Sequence, residues 1–279
     1  MAKKRNKLVM PFLKWVGGKR QLINEIEPLI PTKISTYYEP FVGGGAVFLN
    51  RQPKKAIIND YNAELINVYE TIRDNVELLI EELSKHKNEA EYFYSIRALD
   101  RQEGFDALSS VKRASRVIYL NKTCFNGLYR VNSSGEFNTP FGRYKNPNII
   151  NETVLRAVSN YLNESNITFM SGDFEEALKG ARKGSFVYLD PPYDPVSKSS
   201  NYTGYTEGGF DREEQLRLRE VCRRLDSKGI KFLLSNSATP FIKDLYQDYE
   251  IIEVGASRSI NSVASKRGEV SEVLVRNYE

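Results

Sequence analysis

The chain has 279 residues, of which 41% are hydrophobic, and it carries a formal net charge of +4. This length suits one large α/β domain with an insertion, or two modest domains, and the apolar fraction supports a folded core. No segment reaches the apolar length of a membrane span, and the basic N-terminus lacks the apolar region of a secretory signal. Because Cys124 and Cys222 are the only cysteines, a disulfide framework is not predicted and a cytoplasmic protein is expected. With one histidine, His86, expected at the surface, neither a zinc cluster nor a Ser–His–Asp triad is predicted.

The first third of the chain shows strand–turn–helix alternation. The segment TYYEPFV (36–42) predicts a short strand that runs into three glycines, and AVFLN then begins a helix. KAIIND (55–60) predicts a second strand that ends on Asp60. Apolar residues at helical spacing predict a long helical region over residues 63–103.

The alternation resumes after residue 160. NITFMSGD (166–173) and SFVYLD (185–190) predict strands that end on Asp173 and Asp190, and residues 213–229 predict an amphipathic helix before the strand GIKFLLSNS (229–237). YEIIEVGA and SEVLVRNY predict a terminal antiparallel pair. Strands that alternate with helices predict a doubly wound, mostly parallel sheet. We therefore expect a domain in two parts, residues 1–61 and 161–279, interrupted by an inserted helical and hairpin domain over residues 62–160.

The predicted insertion carries a local excess of positive charge. Residues 112–145 contain seven basic residues and one acidic residue. Such a concentration favours a polyanionic partner, although a solvated basic face has the same composition. The stretch from Asn126 to Pro147 is rich in Asn, Gly, Ser and Pro, and its SSGE segment predicts a hairpin turn.

The predicted parallel strands place acids and glycines at one edge of the sheet. Ligands bind beyond the carboxyl ends of such strands, so the edge is a candidate site. Asp60 lies 17 residues beyond Gly43, where an acid that binds ribose hydroxyls is expected, although a glycine turn can also be purely structural. In KWVGGKRQL (14–22), Lys19 is able to reach a carboxylate, and a helix-start loop with a packed Trp15 explains the same pattern.

The segment DPPY (190–193) ends a strand predicted to be buried on both faces. Two prolines stop the sheet and hold the Asp190 carboxylate and the Pro191 carbonyl as fixed acceptors. These two acceptors suit the hydrogens of an amine on a planar ring, and Tyr193 can stack on that ring. An Asx-type turn followed by a packed tyrosine is the structural alternative.

Taken together, the motifs resemble those of the Dam-like adenine-N6 DNA methyltransferases, closely the DpnM type, over nearly the whole chain. The resemblance rests on motifs quoted in chain order: KWVGGK, EPFVGGGAVF, INDYNAELIN, NGLYRVNSSGEFNTPFGRYKNP, GDF, VYLDPPY and LSNS. It implies a Rossmann-like methyltransferase sheet with an inserted DNA-recognition domain. It also implies transfer of a methyl group from S-adenosylmethionine to N6 of adenine in GATC of duplex DNA. The base must be flipped, because N6 is paired and stacked in the duplex.

The resemblance also implies roles for individual residues. Catalysis would fall to Asp190, Pro191, Pro192 and Tyr193. The cofactor site would comprise Trp15, Lys19, Phe41, Gly43, Gly45, Asp60, Asp173, Phe174 and Asp190. Base contacts would come from Leu128, Arg130, Pro140 and Arg143, a duplex wedge from Phe125 and Asn126, and phosphate contacts from Lys122 and Lys145. Phe125 stands where some relatives have Tyr, a change that should preserve stacking. Residues 257–268 are expected to form a mobile basic loop.

Other functions stay open at this point. DPPY suits any exocyclic amine, so cytosine N4 or an RNA adenine is an alternative acceptor, and a non-catalytic DNA-binding relative is another. A cytosine-C5 enzyme is disfavoured because neither cysteine lies in a Pro-Cys motif. The resemblance implies a bacterial or phage-encoded cytoplasmic protein that is a monomer or weak dimer, with duplex DNA as partner, no metal or membrane, and in some settings a cognate restriction endonuclease.

Overall fold

A computed structural model describes residues 5–196, 209–257 and 269–279, without the side chains of residues 256, 257, 269 and 270. The predicted basic loop lies almost wholly outside the described residues, since it falls on residues 258–268. The strands in the described ranges are β1 (Tyr37–Glu39), β2 (Lys55–Asp60), β3 (Asn166–Ser171), β4 (Phe186–Leu189), β5 (Lys231–Ser237), β6 (Glu250–Ser257) and β7 (Glu269–Arg276). The α-helices there are α1 (Ile23–Ile26), α2 (Ala46–Arg51), α3 (Ala63–Asp74), α4 (Val76–Ser84), α5 (Ala90–Arg97), α6 (Ser110–Thr123), α7 (Glu152–Asn163), α8 (Phe174–Leu178), α9 (Arg212–Ser227) and α10 (Pro240–Leu245).

One mixed sheet organises the fold, with strand order β3-β2-β1-β4-β5-β7-β6. The first five strands in this order are parallel, and β7 pairs antiparallel with both β5 and β6. The prediction of a mostly parallel α/β sheet with an antiparallel terminal pair is therefore confirmed. The strand order reverses between β1 and β4, so the crevice for a ligand opens beyond the carboxyl ends of these two strands.

Strand β4 lies at the centre of the core. All four of its residues are buried. Phe186 and Tyr188 pack into the cluster that includes α2 to α7, whereas Val187 and Leu189 pack into the cluster that includes α8 to α10. Because side chains alternate along a strand, this strand is covered on both faces, as its continuous apolar run predicts.

Two predicted elements differ from the structure in extent. Strand β1 ends at Glu39 rather than at residue 42, because Pro40 lacks a backbone N–H and the chain turns toward the glycines. The helical region predicted over residues 63–103 is broken into three α-helices. Asn75 leaves the helical conformation (φ −141°, ψ 38°), and its N–H caps α3 by donating to the Thr71 carbonyl.

The hairpin after α6 forms as predicted. Antiparallel bridges join Val131 to Phe137 and Cys124 to Phe141. At its tip, the Asn132 side chain accepts hydrogen bonds from the backbone N–H groups of Ser134 (3.0 Å) and Glu136 (2.9 Å). This Asx-type bonding explains why the SSGE segment turns. The assignment of residues 62–160 to a separate recognition domain stays a prediction.

His86 is half-buried, so its predicted surface position is wrong. Its ring stacks on Tyr119 with centroids 4.3 Å apart, and its nitrogens lie 2.9 Å from the Tyr92 hydroxyl and 2.9 Å from the Ser115 hydroxyl. Burial lowers the pKa of His86 to about 4. The residue therefore helps to pack α4 against α6. No helix in the described ranges is long and apolar enough to cross a membrane.

Candidate active site and nucleic-acid interface

The glycine turn after β1 is tied to the end of β2. The Asp60 carboxylate accepts hydrogen bonds from the N–H groups of Gly43 (2.9 Å) and Asn62 (3.0 Å). The Tyr69 hydroxyl donates to the Gly43 carbonyl (2.9 Å). Burial raises the pKa of Asp60, and the two backbone donors counter that rise. The acid predicted to bind a ribose therefore also fixes the shape of the glycine turn.

Trp15 lies directly against this turn. A Cβ placed on Gly43, whose φ is +48°, would lie 2.7 Å from Trp15 Cδ1. The indole also stacks on Tyr129 of the hairpin segment, with ring centroids 5.0 Å apart and planes 24° apart. The predicted cofactor motifs and the predicted recognition hairpin thus meet through one ring.

Lys19 joins the first motif to DPPY. Its ammonium group lies 2.9 Å from Asp190 Oδ1, donates to the Gly17 carbonyl at 2.7 Å, and lies 4.6 Å from the centroid of the Tyr193 ring. Lys19 is only 5% exposed. Burial raises the pKa of Asp190 to about 6, while Lys19 opposes that rise. The structure therefore brings the predicted lysine, carboxylate and aromatic ring into one buried cluster.

The Pro-Pro-Tyr turn is held by residues that the sequence patterns do not predict. The Pro192 carbonyl accepts a hydrogen bond from Gln215 Nε2 (2.8 Å), and Gln215 Oε1 accepts one from Asn236 Nδ2 (3.0 Å). Asn236 Oδ1 in turn accepts from the Asp194 N–H at 3.1 Å. The LSNS segment that contains Asn236 was a usable signal, because it ends a parallel strand at the same edge. Gln215 lies inside an amphipathic helix pattern and carries no such signal.

Two further carboxyls surround Asp190. Glu39, at the end of β1, is 2% exposed and accepts a hydrogen bond from the Tyr37 hydroxyl (2.5 Å). Burial first, and the nearby charge of Asp190, raise the pKa of Glu39 well above its usual range. Glu272, in the first half of β7, accepts a hydrogen bond from the Tyr193 hydroxyl (2.7 Å). Neither residue is predicted from the sequence as part of the site.

Asp173 and Phe174 form the other side of the edge. Asp173 caps α8 through the Glu175 N–H (2.9 Å) and pairs with Arg217, whose Nη2 lies 2.7 Å from Oδ2. The hydrogen bonds from Arg217 lower the pKa of Asp173. Phe41 lies 5.2 Å from the Phe174 ring, and the Arg217 guanidinium covers that ring at 4.2 Å. The predicted pair therefore lies beside Phe41 in an aromatic cluster with an unpredicted arginine.

The hairpin presents its predicted DNA contacts in different ways. Phe125 is 53% exposed, and Asn126 beside it is exposed with φ of +58°. The Phe125 N–H donates to the Pro140 carbonyl (2.8 Å), so the two predicted contacts are neighbours. Arg143 (φ +55°) and Lys145 are exposed as well.

Other hairpin residues are partly engaged within the protein. Arg130 donates to Asn138 Oδ1 (2.7 Å), and the half-buried Leu128 accepts through its carbonyl from the Thr139 hydroxyl (2.6 Å). Burial lowers the pKa of the half-buried Lys122. A cavity of about 110 Å³ beside this turn is lined by Lys122 and by residues that are not predicted as contacts: Lys14, Asn121, Gly127 and Tyr144.

A mostly parallel α/β sheet, with a glycine turn after one strand and DPPY after its neighbour, defines the class of a nucleic-acid base methyltransferase. Sequence comparison agrees, since the profile described as D12 class N6 adenine-specific DNA methyltransferase matches residues 15–260. The chain belongs to this family of adenine-specific DNA methyltransferases. Membership confirms the predicted enzyme class and decides against cytosine N4 and RNA adenine as the methyl acceptor.

Curated relatives align over almost the whole chain. The type II methyltransferase M1.LlaDCHI of Lactococcus lactis is 48% identical over 277 residues, which cover 98% of each chain. The type II methyltransferase M.MjaIII of Methanocaldococcus jannaschii is 43% identical, with 97% of this chain and 99% of that protein covered. A DNA adenine methylase of Haemophilus influenzae is 36% identical, with 95% and 92% covered.

Proposed function

We propose that this enzyme transfers a methyl group from S-adenosylmethionine to N6 of the adenine in GATC of duplex DNA, and that it is of the DpnM type. The observation that carries the proposal is the convergence of Lys19, Asp190 and Tyr193 at the carboxyl end of β4, the neighbour of β1 in the sheet. It joins a candidate cofactor turn and a candidate amine site at the point where the strand order reverses.

The residues beside β1 and β2 fit the cofactor. The Trp15 indole packs so closely on Gly43 that a Cβ there would lie 2.7 Å from Trp15 Cδ1, so the turn offers its backbone and the indole without a side chain between them. We assign the nucleoside portion to Asp60 and to the cluster of Phe41, Asp173 and Phe174, and the remainder to Trp15, Lys19, Gly43, Gly45 and Asp190. When bound, S-adenosylmethionine supplies an electrophilic methyl group on a sulfonium.

The DPPY turn prepares the acceptor. Lys19 engages Oδ1 of Asp190, and we assign the other carboxylate oxygen and the Pro191 carbonyl to the two hydrogens of the adenine amine. This leaves the nitrogen lone pair free, and the carboxylate stabilises the positive charge that develops on the nitrogen. Tyr193 stacks on the adenine ring, while Gln215 holds the Pro192 carbonyl and so keeps the turn rigid.

The hairpin supports the choice of duplex DNA. An exposed Phe125 beside an exposed Asn126 suits a wedge that fills the gap left by a flipped base. We assign base reading to Leu128, Arg130, Pro140 and Arg143, and phosphate contacts to Lys122 and Lys145. The bond from Arg130 to Asn138 uses only its Nε, and the four N–H donors on its Nη atoms are the groups that would reach a base edge.

The test is methylation of an unmethylated plasmid, followed by mapping of modified bases at single-base resolution. We expect N6-methyladenine in GATC, and an Asp190→Ala enzyme that binds the duplex without methylating it. Asp248→Ala is the matched control, because it removes an exposed carboxylate that pairs with Arg219. This variant should be fully active. Methylation at other sequences would refute the GATC assignment, and unchanged activity of Asp190→Ala would refute the role of Asp190.

The same proposal covers the enzyme's setting. Its relatives M1.LlaDCHI and M.MjaIII are type II methyltransferases, which supports partnership with a restriction endonuclease. We propose that the enzyme acts in the cytoplasm of a bacterial cell, on the chromosome or on phage DNA. We also propose that it is a monomer or a weak dimer.

A further inference from the structure

Glu272 lies at the same edge of the sheet as the other acidic residues of the candidate site, but on a strand that runs in the opposite direction. It lies near the start of β7, opposite Ser237 of β5 and Val254 of β6. Because β7 runs antiparallel to β5, the beginning of β7 lies at the carboxyl end of the parallel strands. Asp60, Asp173 and Asp190 come to this edge at the ends of parallel strands, whereas Glu272 lies within an antiparallel strand, opposite the last residue of β5.

The contact that Glu272 makes is specific. The Tyr193 hydroxyl donates to Glu272 Oε2 at 2.7 Å, the ordinary length of a well-formed O–H···O hydrogen bond. Pro191 and Pro192 have fixed φ, so the chain that leads into Tyr193 is rigid, and the Tyr193 ring faces the ammonium group of Lys19 at 4.6 Å. Glu272 therefore holds the far end of a ring whose near end is fixed by the turn.

We propose that Glu272 is a positioning residue for methyl transfer. It fixes the plane of the Tyr193 ring, so that the ring receives the flipped adenine in one orientation. The inference rests on the proposed function, because it takes Tyr193 as the stacking partner of the target base. Glu272 acts through Tyr193 and touches neither the base nor the cofactor.

Three variants separate this role from a structural one. Tyr193→Phe keeps the ring and removes the hydroxyl, Glu272→Ala removes the acceptor, and Glu272→Gln keeps an acceptor oxygen without the charge. We expect the first two to lower kcat about tenfold, which corresponds to the loss of one hydrogen bond. The KM values for DNA and for S-adenosylmethionine should change by less than about twofold, since positioning acts after binding.

The double variant gives the sharpest readout. If Glu272 acts only through the Tyr193 hydroxyl, Tyr193→Phe combined with Glu272→Ala should be no slower than either single variant. Glu272→Gln should recover to within about threefold of the wild-type kcat, because the hydroxyl keeps a neutral acceptor. Glu253→Ala, on neighbouring β6 and paired with Lys243, removes a glutamate that does not contact Tyr193 and should leave kcat unchanged.

Several outcomes would overturn the inference. Wild-type kcat in Glu272→Ala would do so, as would losses that multiply in the double variant. A Glu272→Gln enzyme that melts like the wild type but is as slow as Glu272→Ala would also exclude positioning by a hydrogen bond. A wild-type enzyme that methylates no adenine overturns the inference together with the proposed function, whereas an active wild type beside an equally active Glu272→Ala overturns the inference alone.

Discussion

Gly43→Ala tests whether the glycine turn must approach Trp15 closely. Gly43 has φ of +48°, a conformation that costs alanine about 1 kcal/mol. Its Cβ would lie 2.7 Å from Trp15 Cδ1 and 3.2 Å from Nε1, so the indole must move. Overpacking of this kind costs about 1–3 kcal/mol. We therefore expect the free energy of unfolding to fall by about 3 kcal/mol.

The assay combines stability with a local probe. Urea unfolding followed by far-ultraviolet circular dichroism gives the loss of stability. Trp15 is the only tryptophan of the chain, so its fluorescence reports on this site alone. We expect a shifted emission spectrum in Gly43→Ala and a weakened response to S-adenosylmethionine, because the displaced indole also leaves its stacking position on Tyr129.

Gly104→Ala is the matched control. Gly104 has φ of +88°, and a Cβ there meets no atom within 4 Å, so this variant measures the backbone cost without a clash. It should lose only about 1 kcal/mol and keep the wild-type fluorescence. If the two variants lose equal stability and Trp15 emission is the same in both, the close approach is not what the glycine provides.

Three further predictions concern charge, anchoring and flipping. Because burial raises the pKa of Asp190 to about 6, its acceptor form is lost as the pH falls through 6. The kcat/KM for DNA, which reports the pKa values of the free enzyme, should therefore be flat above about pH 7 and fall below 6, and a flat profile from pH 8 down to pH 5 would contradict the assignment. Gln215→Ala leaves the Pro192 carbonyl and Asn236 Nδ2 without a partner, and should lower the free energy of unfolding in urea by about 2–4 kcal/mol. Gln247→Ala, which loses one exposed hydrogen bond, should lower it by almost nothing. Equal losses in the two variants would refute the anchoring role of Gln215. Phe125→Ala should cost less than about 1 kcal/mol of stability but lower DNA affinity about tenfold, and Leu216→Ala, equally exposed, should lower neither; an unchanged DNA affinity in Phe125→Ala would exclude the wedge.

The sequence alone predicted the strands and the acidic residues at the carboxyl ends of the parallel ones. The apolar run before Asp190 predicts a strand buried on both faces, and β4 is such a strand. Asp60, Asp173 and Asp190 follow parallel strands, so their meeting at one edge follows from the alternation of strands and helices. These inferences hold because each depends on local period and on a general rule of parallel sheets.

The helix boundaries could not be predicted from the spacing of apolar residues alone. The apolar spacing over residues 63–103 is helical throughout, yet the chain leaves the helical conformation at Asn75, and α3 and α4 pack on both α6 and α7 while α5 packs on α6. His86 shows the same limit, since a polar stretch places it at the surface while Tyr119, from a distant helix, covers it.

Only the tertiary structure decided which residues support the site. Gln215 lies 23 residues beyond Pro192, and Glu272 lies 79 residues beyond Tyr193, so no short motif contains either pair. A rule about the ends of strands does not find Glu272 either, because Glu272 lies within β7 and reaches this edge only because β7 runs antiparallel to β5. The residues proposed to perform the chemistry are grouped in motifs along the chain, whereas those that hold them in place come from wherever the sheet brings a side chain within hydrogen-bond distance.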